Sequence, residues 1–282
     1  MNSYEEKRPS PYGSVVLITG ASSGIGKSTA FFLKDYGFHV YGVSRYVDFL
    51  PAVSGYEGGF FKSLQMDVRD ENSVKNTVEL ILKHERKIDI LINCAAIGTC
   101  GAVEHYTDED IDNILSTNFY GYVHTIRALL PGMRANQNGL IINVGSVAGI
   151  FAIPFQPFYC VSKFSLEALT QSLRMEVAEH NIKATLISPG GVKTGFTKSR
   201  QYVNSAKTNN SYDKLMHDSV TKLSHEELNG MDPDKVAKAI YNVTQKPNPP
   251  IRTVVGAKYK AFVFLKRILP DRLIEYIMKN MY

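Results

Sequence analysis

The chain has 282 residues, of which 44% are hydrophobic and 21% charged, with a formal net charge of +5; this is an ordinary globular composition, long enough to bury a full core. No run of about twenty apolar residues occurs, which excludes a membrane-spanning helix, and the polar start MNSYEEKRPSPYG does not read as a secretory signal. From Lys246 onward eight Lys/Arg stand against two Asp/Glu, and the rest holds 24 against 25, so the basic excess belongs to the tail and gives nucleic-acid binding little support.

Cys94, Cys100 and Cys160 fit neither a metal-ligand spacing nor a disulfide framework. The expectation is reduced thiols, a cytoplasmic protein and no metal site.

In chain order, the β-rich run SVVLITG (14–20) ends in glycine, and IGKSTAFFLKDYG (25–37) reads as a helix stopped by Gly37. FHVYGVS (38–44) and FFKSLQMDV (60–68) read as the second and third strands, followed by the amphipathic helix SVKNTVELILKHE (73–85). KIDILINCA (87–95) is a fourth strand, 108–133 a long helix, and GLIINVGS (139–146) a fifth strand. A helix over 158–179, the strand NIKATLISPGG (181–191) and the strand IRTVVGA (251–257) complete the pattern. The strands are apolar runs without alternation, as expected of strands buried on both faces. Alternation with helices predicts right-handed βαβ units: a single α/β domain with a doubly wound, seven-stranded parallel sheet and helices on both faces. The polar stretch 198–229 lacks a clear period, and 195–230 is expected to be a substrate-binding loop or lid.

TGASSGIGKS (19–28) places Gly20, Gly24 and Gly26 between a strand and a helix, where backbone can approach a phosphate and the helix N-terminus favours negative charge. The same letters admit a second reading. ASSGIGKS (21–28) sets Lys27 and Ser28 as in a P-loop hydrolase, with Ala21 in place of the first glycine and Asp67 as the one candidate for magnesium. After the second strand stands Arg45, and no acid follows until Asp48. An arginine there accommodates a 2′-phosphate, so the expected cofactor is NADP(H) in preference to NAD(H).

In YCVSK (159–163), Tyr159 and Lys163 share a helical face. An ammonium 4–6 Å from a phenol, at an effective dielectric near 20, favours the phenolate by roughly 3–4 kcal/mol. That would bring the tyrosine down by about two pH units or more, towards general acid–base catalysis. Ser146 ends the fifth strand, where its hydroxyl can hydrogen-bond a substrate carbonyl beside the tyrosine. Asn118 is a polar residue among apolar neighbours.

With TGASSGIG (19–26), Asp67–Val68, NCAA (93–96), Asn118, Ser146, YCVSK and SPGGVKT (188–194), the sequence resembles the short-chain dehydrogenase/reductase family. The resemblance covers residues 19 to 194, and NCAA stands where the family commonly carries NNAG. It implies a Rossmann-like oxidoreductase in which Tyr159 exchanges the substrate proton and Lys163 lowers the tyrosine pKa and binds the nicotinamide ribose. Ser146 would hold the substrate oxygen, and Asn118 a relay water behind Lys163. The cofactor would lie along Gly20, Ser22, Ser23, Gly24, Ile25 and Gly26, with Arg45, Asp67 and Val68 at the adenosine. Asn93 would steady the central strand, Ala95 would line the ribose, and Pro189, Gly190, Val192 and Thr194 would meet the carboxamide end. A dinucleotide-binding regulator without turnover is the third reading.

Phe151, Ile153, Phe155, Phe158 and Phe196 flank the catalytic residues and suggest an apolar alcohol or ketone, steroid-, retinoid- or lipid-like. After the seventh strand, 258–282 reads as a helical extension with Leu273, Ile274, Ile277, Met278 and Met281 at helical spacing. Packing over the cleft or a subunit interface is preferred there to peripheral contact with a membrane. The resemblance implies pairing through the Asn118 and Tyr159 helices into a homodimer or homotetramer.

Overall fold

The computed structural model describes residues 9–46, 51–203 and 211–282. Its strands are β1 (Val15–Thr19), β2 (His39–Ser44), β3 (Val53–Ser54), β4 (Phe60–Gln65), β5 (Ile90–Asn93), β6 (Thr99–Cys100), β7 (Gly139–Val144), β8 (Ile182–Pro189), β9 (Gln201–Tyr202) and β10 (Arg252–Val255). Its α-helices are α1 (Gly24–Lys34), α2 (Glu71–Glu85), α3 (Asp108–Leu115), α4 (Gly121–Ala135), α5 (Pro157–Glu176), α6 (Phe196–Ser199), α7 (Asp213–Leu228), α8 (Pro233–Thr244), α9 (Ala257–Lys266) and α10 (Asp271–Met281).

The main sheet runs β10-β8-β7-β5-β1-β2-β4-β3. The seven expected strands are all present and pair in parallel. An eighth, the two-residue β3, adds to the edge antiparallel to β4; a strand that short leaves no period to read. The order reverses between β1 and β5, and ligands of open α/β sheets bind in the crevice at the carboxyl ends beside such a switch.

Both faces of the sheet are covered. Val16 and Ile18 of β1 pack in one core with Ala30 and Leu33 of α1 and Val236 and Ile240 of α8. Val15 and Leu17 point the other way, into a core with Val74 and Val78 of α2, Ile126 and Leu129 of α4 and Leu173 of α5. Removing such a side chain, as in Leu33→Ala, costs about 2–5 kcal/mol.

A buried polar chain crosses the sheet between helices. The Thr125 hydroxyl of α4 donates to Asn93 Oδ1 at 2.7 Å, Asn93 Nδ2 to Asn143 Oδ1 at 3.1 Å, and Asn143 Nδ2 to the Thr170 hydroxyl of α5 at 2.9 Å. Asn93 and Asn143 face each other across β5 and β7.

The long helix expected over 108–133 is α3 and α4 joined by a π-helical turn, Ser116–Tyr120, that carries Asn118. The stretch read as lacking a period contains the sixteen-residue helix α7, which buries Met216, Val220 and Leu223 at helical spacing; polar residues between these positions mask the stripe. Beside it, β6 and β9 form a two-stranded parallel sheet.

Candidate active site

At the carboxyl edge of the sheet lies a cavity of about 610 Å³. Its floor begins at the β1–α1 turn, where Gly20, Ser22, Ser23, Gly24, Ile25 and Gly26 all line the wall. Gly20 has φ +69°, and a side-chain carbon there would come within 2.8 Å of the Ala95 backbone; at Gly26 it would come within 2.3 Å of the Gly20 carbonyl oxygen. Only glycines allow this turn. Ser23, the N-cap of α1, makes no side-chain cap bond, so the helix start presents backbone N–H groups to the cavity. The Thr19 hydroxyl accepts the Cys94 and Ala95 N–H groups at 2.9 and 3.1 Å and holds the β5 end against this turn. Such a glycine cradle fits the pyrophosphate of a dinucleotide.

The P-loop reading does not fit. Lys27 is exposed and off the cavity wall, and the Ser28 hydroxyl donates to the Asp234 carboxylate instead of facing a ligand. One turn into α1, both residues have rotated outward.

Arg45, Asp67 and Val68 line the end of the cavity beyond β2 and β4. Asp67 pairs with Arg69 at 2.6 Å, which holds its carboxyl below the usual range, with Arg45 contributing to the same effect. Asp48 lies outside the described residues. Ala95, Pro189, Gly190, Val192 and Thr194 line the wall on the β5 and β8 side.

Two sequence-derived residues are not on the wall. Asn93, counted among the cofactor-binding residues, is spent in the polar chain between β5 and β7. Asn118 is fully buried; its side chain accepts from Ile97 N–H at 2.8 Å and donates to Ile97 C=O at 2.9 Å and the Ser162 hydroxyl at 3.1 Å. It clamps the strand-to-loop crossing below the cavity.

Ser146, Tyr159 and Lys163 converge on the wall. The Ser146 Oγ accepts from Ala148 N–H at 3.1 Å and lies close enough to the Tyr159 phenol to lower its pKa. Pro157 starts α5 with its ring-fixed φ, so Tyr159 and Lys163 fall in the first two turns. The Lys163 ammonium lies 5.8 Å from the Tyr159 ring centroid and donates to Val144 C=O at 3.0 Å. The Tyr122 hydroxyl donates to the same carbonyl at 3.0 Å.

The electrostatics differ from the sequence expectation. Burial, followed by the Glu227 carboxylate, pushes the Tyr159 phenol above its ordinary value, while the Ser146 hydrogen bond and Arg200 pull it down. Burial also pushes Lys163 down to about 8. The expectation counted the attraction between phenolate and ammonium but not the cost of taking both out of water. A protonated phenol is the form that donates to a carbonyl oxygen.

Sequence reasoning missed the opposite wall. Arg200 and Glu227 form an ion pair at 2.6 Å, and the Thr197 hydroxyl donates to Glu227 at 2.6 Å, tying α6 to α7. Phe196 brings its ring to 5.7 Å from that of Tyr159. The neighbouring Glu226 accepts from Lys258 at 2.7 Å, Tyr259 at 2.9 Å and Tyr282 at 2.7 Å. No local pattern announces pairs formed across so many residues. Of the five apolar residues expected to flank the site, Ile153 and Phe196 line the cavity. Phe151 packs on Val263, Phe155 joins Met216 and Val220, and Phe158 meets Tyr106 edge to face.

The short chain dehydrogenase family profile matches residues 14–204. The chain is 38% identical over 269 residues to a 3-ketodihydrosphingosine reductase of Bacteroides thetaiotaomicron, covering 95% of this chain and 97% of that one. It is 31% identical over 266 residues to human retinol dehydrogenase 8, covering 90% and 85%. Among solved structures, a short-chain dehydrogenase from Streptomyces avermitilis superposes with a TM-score of 0.80 at 25% identity, covering 94% of this chain and 95% of that one. Two more share the fold at lower identity: a Burkholderia phymatum enzyme in complex with NAD (TM-score 0.77, 21% identity, covering 90% and 93%) and a metagenomic oxidoreductase in complex with NADP (0.68, 23%, 86% and 96%). The glycine cradle and the Ser–Tyr–Lys cluster on one cavity wall agree with these matches, and the chain belongs to the short-chain dehydrogenase/reductase family of oxidoreductases.

Proposed function

We propose that the protein is an NADP(H)-dependent reductase of a lipid-derived ketone, with Tyr159 as the proton donor. The observation that carries this reading is the Tyr159 side chain on the same cavity wall as Ser146 and Lys163, with Ile153, Phe196 and Leu223 around the space it faces. The β1–α1 glycines would hold the dinucleotide, which would supply the hydride. Ser146 and Tyr159 both hydrogen-bond the carbonyl oxygen and stabilise its developing negative charge. Tyr159 gives up its proton as the alcohol forms, and the Lys163 ammonium stabilises the phenolate left behind.

Arg45 on the cavity wall favours NADP(H), and the 38% identity to a 3-ketodihydrosphingosine reductase favours a long-chain keto substrate over a steroid. Tyr120 is exposed on the π-helical turn before α4, and Val161 and Phe164 on α5, which suits pairing of protomers into a homodimer or homotetramer. The α6–α7 segment acts as the lid. The free thiols Cys94, Cys100 and Cys160 agree with a cytoplasmic setting.

Parallel calorimetric titrations with NADPH, NADH and ATP, then NADPH oxidation with 3-ketodihydrosphingosine and retinal, test the reading. NADPH should bind at least about tenfold tighter than NADH, Arg45→Ala should erase that margin, and 3-ketodihydrosphingosine should be the faster substrate. Tighter NADH binding removes the role of Arg45. Turnover of neither carbonyl compound removes the substrate class.

A further inference from the structure

Helices α9 and α10 present two different faces. On the inner side, Phe262, Val263, Ile274 and Met278 pack against Ile150 and Phe151. Met278, Met281 and Tyr282 join Tyr159, Ile153 and Leu223, and Tyr282 lines the cavity itself. The pair is therefore part of the wall of the active site.

The outer side is apolar as well. Phe264 and Ile268 are each 62% exposed, Leu273 43% and Tyr276 67%. Phe264 lies on α9 and Ile268 in the turn that follows it, while Leu273 and Tyr276, three residues apart, share a side of α10. Exposed Lys260, Arg267, Arg272 and Lys279 lie among them. Residues 257–282 hold six Lys/Arg against two Asp/Glu, whereas the rest of the chain has 26 Lys/Arg against 25 Asp/Glu. Large side chains clustered on a surface with basic neighbours are costly to leave in water and need a partner. Among the described residues no helix is long and apolar enough to cross a membrane, so this surface can lie on a bilayer but not span it.

We infer that the outer face of α9–α10 docks on an anionic lipid surface. Phe264, Ile268, Leu273 and Tyr276 enter the acyl boundary, and Lys260, Arg267, Arg272 and Lys279 meet the anionic headgroups. Charge complementarity selects the bilayer over a second copy of the chain, whose identical face carries the same positive excess. Docking sets the Tyr282 side of the cavity next to the membrane, which gives a lipid-derived ketone a short path to Tyr159. That last step rests on the proposed function; the docking does not.

The test is co-sedimentation of the full chain with phosphatidylcholine vesicles containing about 30% phosphatidylglycerol or none. The wild type should partition at least about tenfold more strongly onto the anionic vesicles and be released by about 0.5 M salt. Phe264→Ser/Leu273→Ser and, separately, Lys260→Glu/Arg267→Glu should lose this partitioning while keeping the wild-type unfolding midpoint. Wild-type protein that stays in the supernatant, or variants that still sediment, overturn the proposal. So does light scattering that shows an oligomer for the wild type and a monomer for Phe264→Ser/Leu273→Ser, since the face would then be a subunit interface. NADPH-linked turnover of a water-soluble ketone, measured in parallel, should be equal in all three proteins. Its absence in the wild type would count against the proposed function and leave the vesicle result standing.

Discussion

Replacing Lys163 by methionine should stabilise the cofactor-free protein while abolishing turnover. Lys163 is 2% exposed, and burial pushes its ammonium from 10.5 down to about 8. At about 1.4 kcal/mol per pH unit, holding that charge costs the folded state about 3 kcal/mol. The unfolded chain keeps the proton up to pH 10.5 and the folded chain only up to about 8. The penalty is therefore fully present below pH 8 and is relieved as pH rises from 8 to 10.5. Methionine fills the same unbranched volume without a charge. The Val144 carbonyl keeps its bond from Tyr122, so no buried acceptor is orphaned. Losing the lysine's hydrogen bond costs about 1 kcal/mol, which leaves a net gain of about 2 kcal/mol at neutral pH, or about 4 °C in Tm. Urea unfolding of both proteins between about pH 7 and pH 10 reads this directly, and the gap should narrow with rising pH as the wild type loses its penalty. A variant no more stable at neutral pH, or a gap that does not change with pH, would refute the account of Lys163 as a buried ammonium kept for function.

Tyr159→Phe should lower kcat at least about a hundredfold and leave NADPH affinity nearly intact; retained turnover would place the proton donor elsewhere. Gly26→Ala puts a methyl 2.3 Å from the Gly20 carbonyl oxygen, so calorimetry should show dinucleotide binding weakened about tenfold or more, and unchanged binding would mean that this turn does not hold the phosphates. Glu227→Gln removes the carboxylate that helps hold the Tyr159 phenol up. The alkaline limb of the reduction rate should then move to lower pH, with stability falling by about 3 kcal/mol as Arg200 loses its partner; a limb that stays in place would show that Glu227 does not act on the phenol.

The parallel strands were legible because residues such as those of β1 face a core on both sides, which leaves an uninterrupted apolar run. The cofactor turn and Ser146, Tyr159 and Lys163 were legible because their chemistry depends on spacing within one strand end or helix turn. What stayed hidden depends on distance along the chain. Arg200 reaches Glu227 across 27 positions of sequence, and Glu226 collects Lys258, Tyr259 and Tyr282 from the tail. The cavity wall opposite Tyr159 could not be seen from any local pattern. Asn93 was expected to steady the central strand, and its side chain does join β5 to β7 and α4; that the Asn118 side chain also serves the scaffold only packing shows. The direction of the Tyr159 shift was misread because a sequence shows which charges are neighbours and not how much water surrounds them.

The buried chain Thr125–Asn93–Asn143–Thr170 acts as a registration key. β5 reads Ile-Leu-Ile-Asn and β7 carries Leu-Ile-Ile-Asn. As hydrocarbon the two are nearly interchangeable, and a slip of two residues would keep every side chain on its own face. Such a slip would set Asn93 against Ile141 and leave Asn93 Nδ2 and Asn143 Oδ1 without each other, at a cost of several kcal/mol. The asparagines of these strands thus select one alignment among several that the apolar runs would accept. Because Asn143 also holds Thr170 on α5, the same selection fixes the height of Tyr159 and Lys163 above the carboxyl edge of the sheet. A pair of leucines at 93 and 143 would preserve the core and lose the vernier.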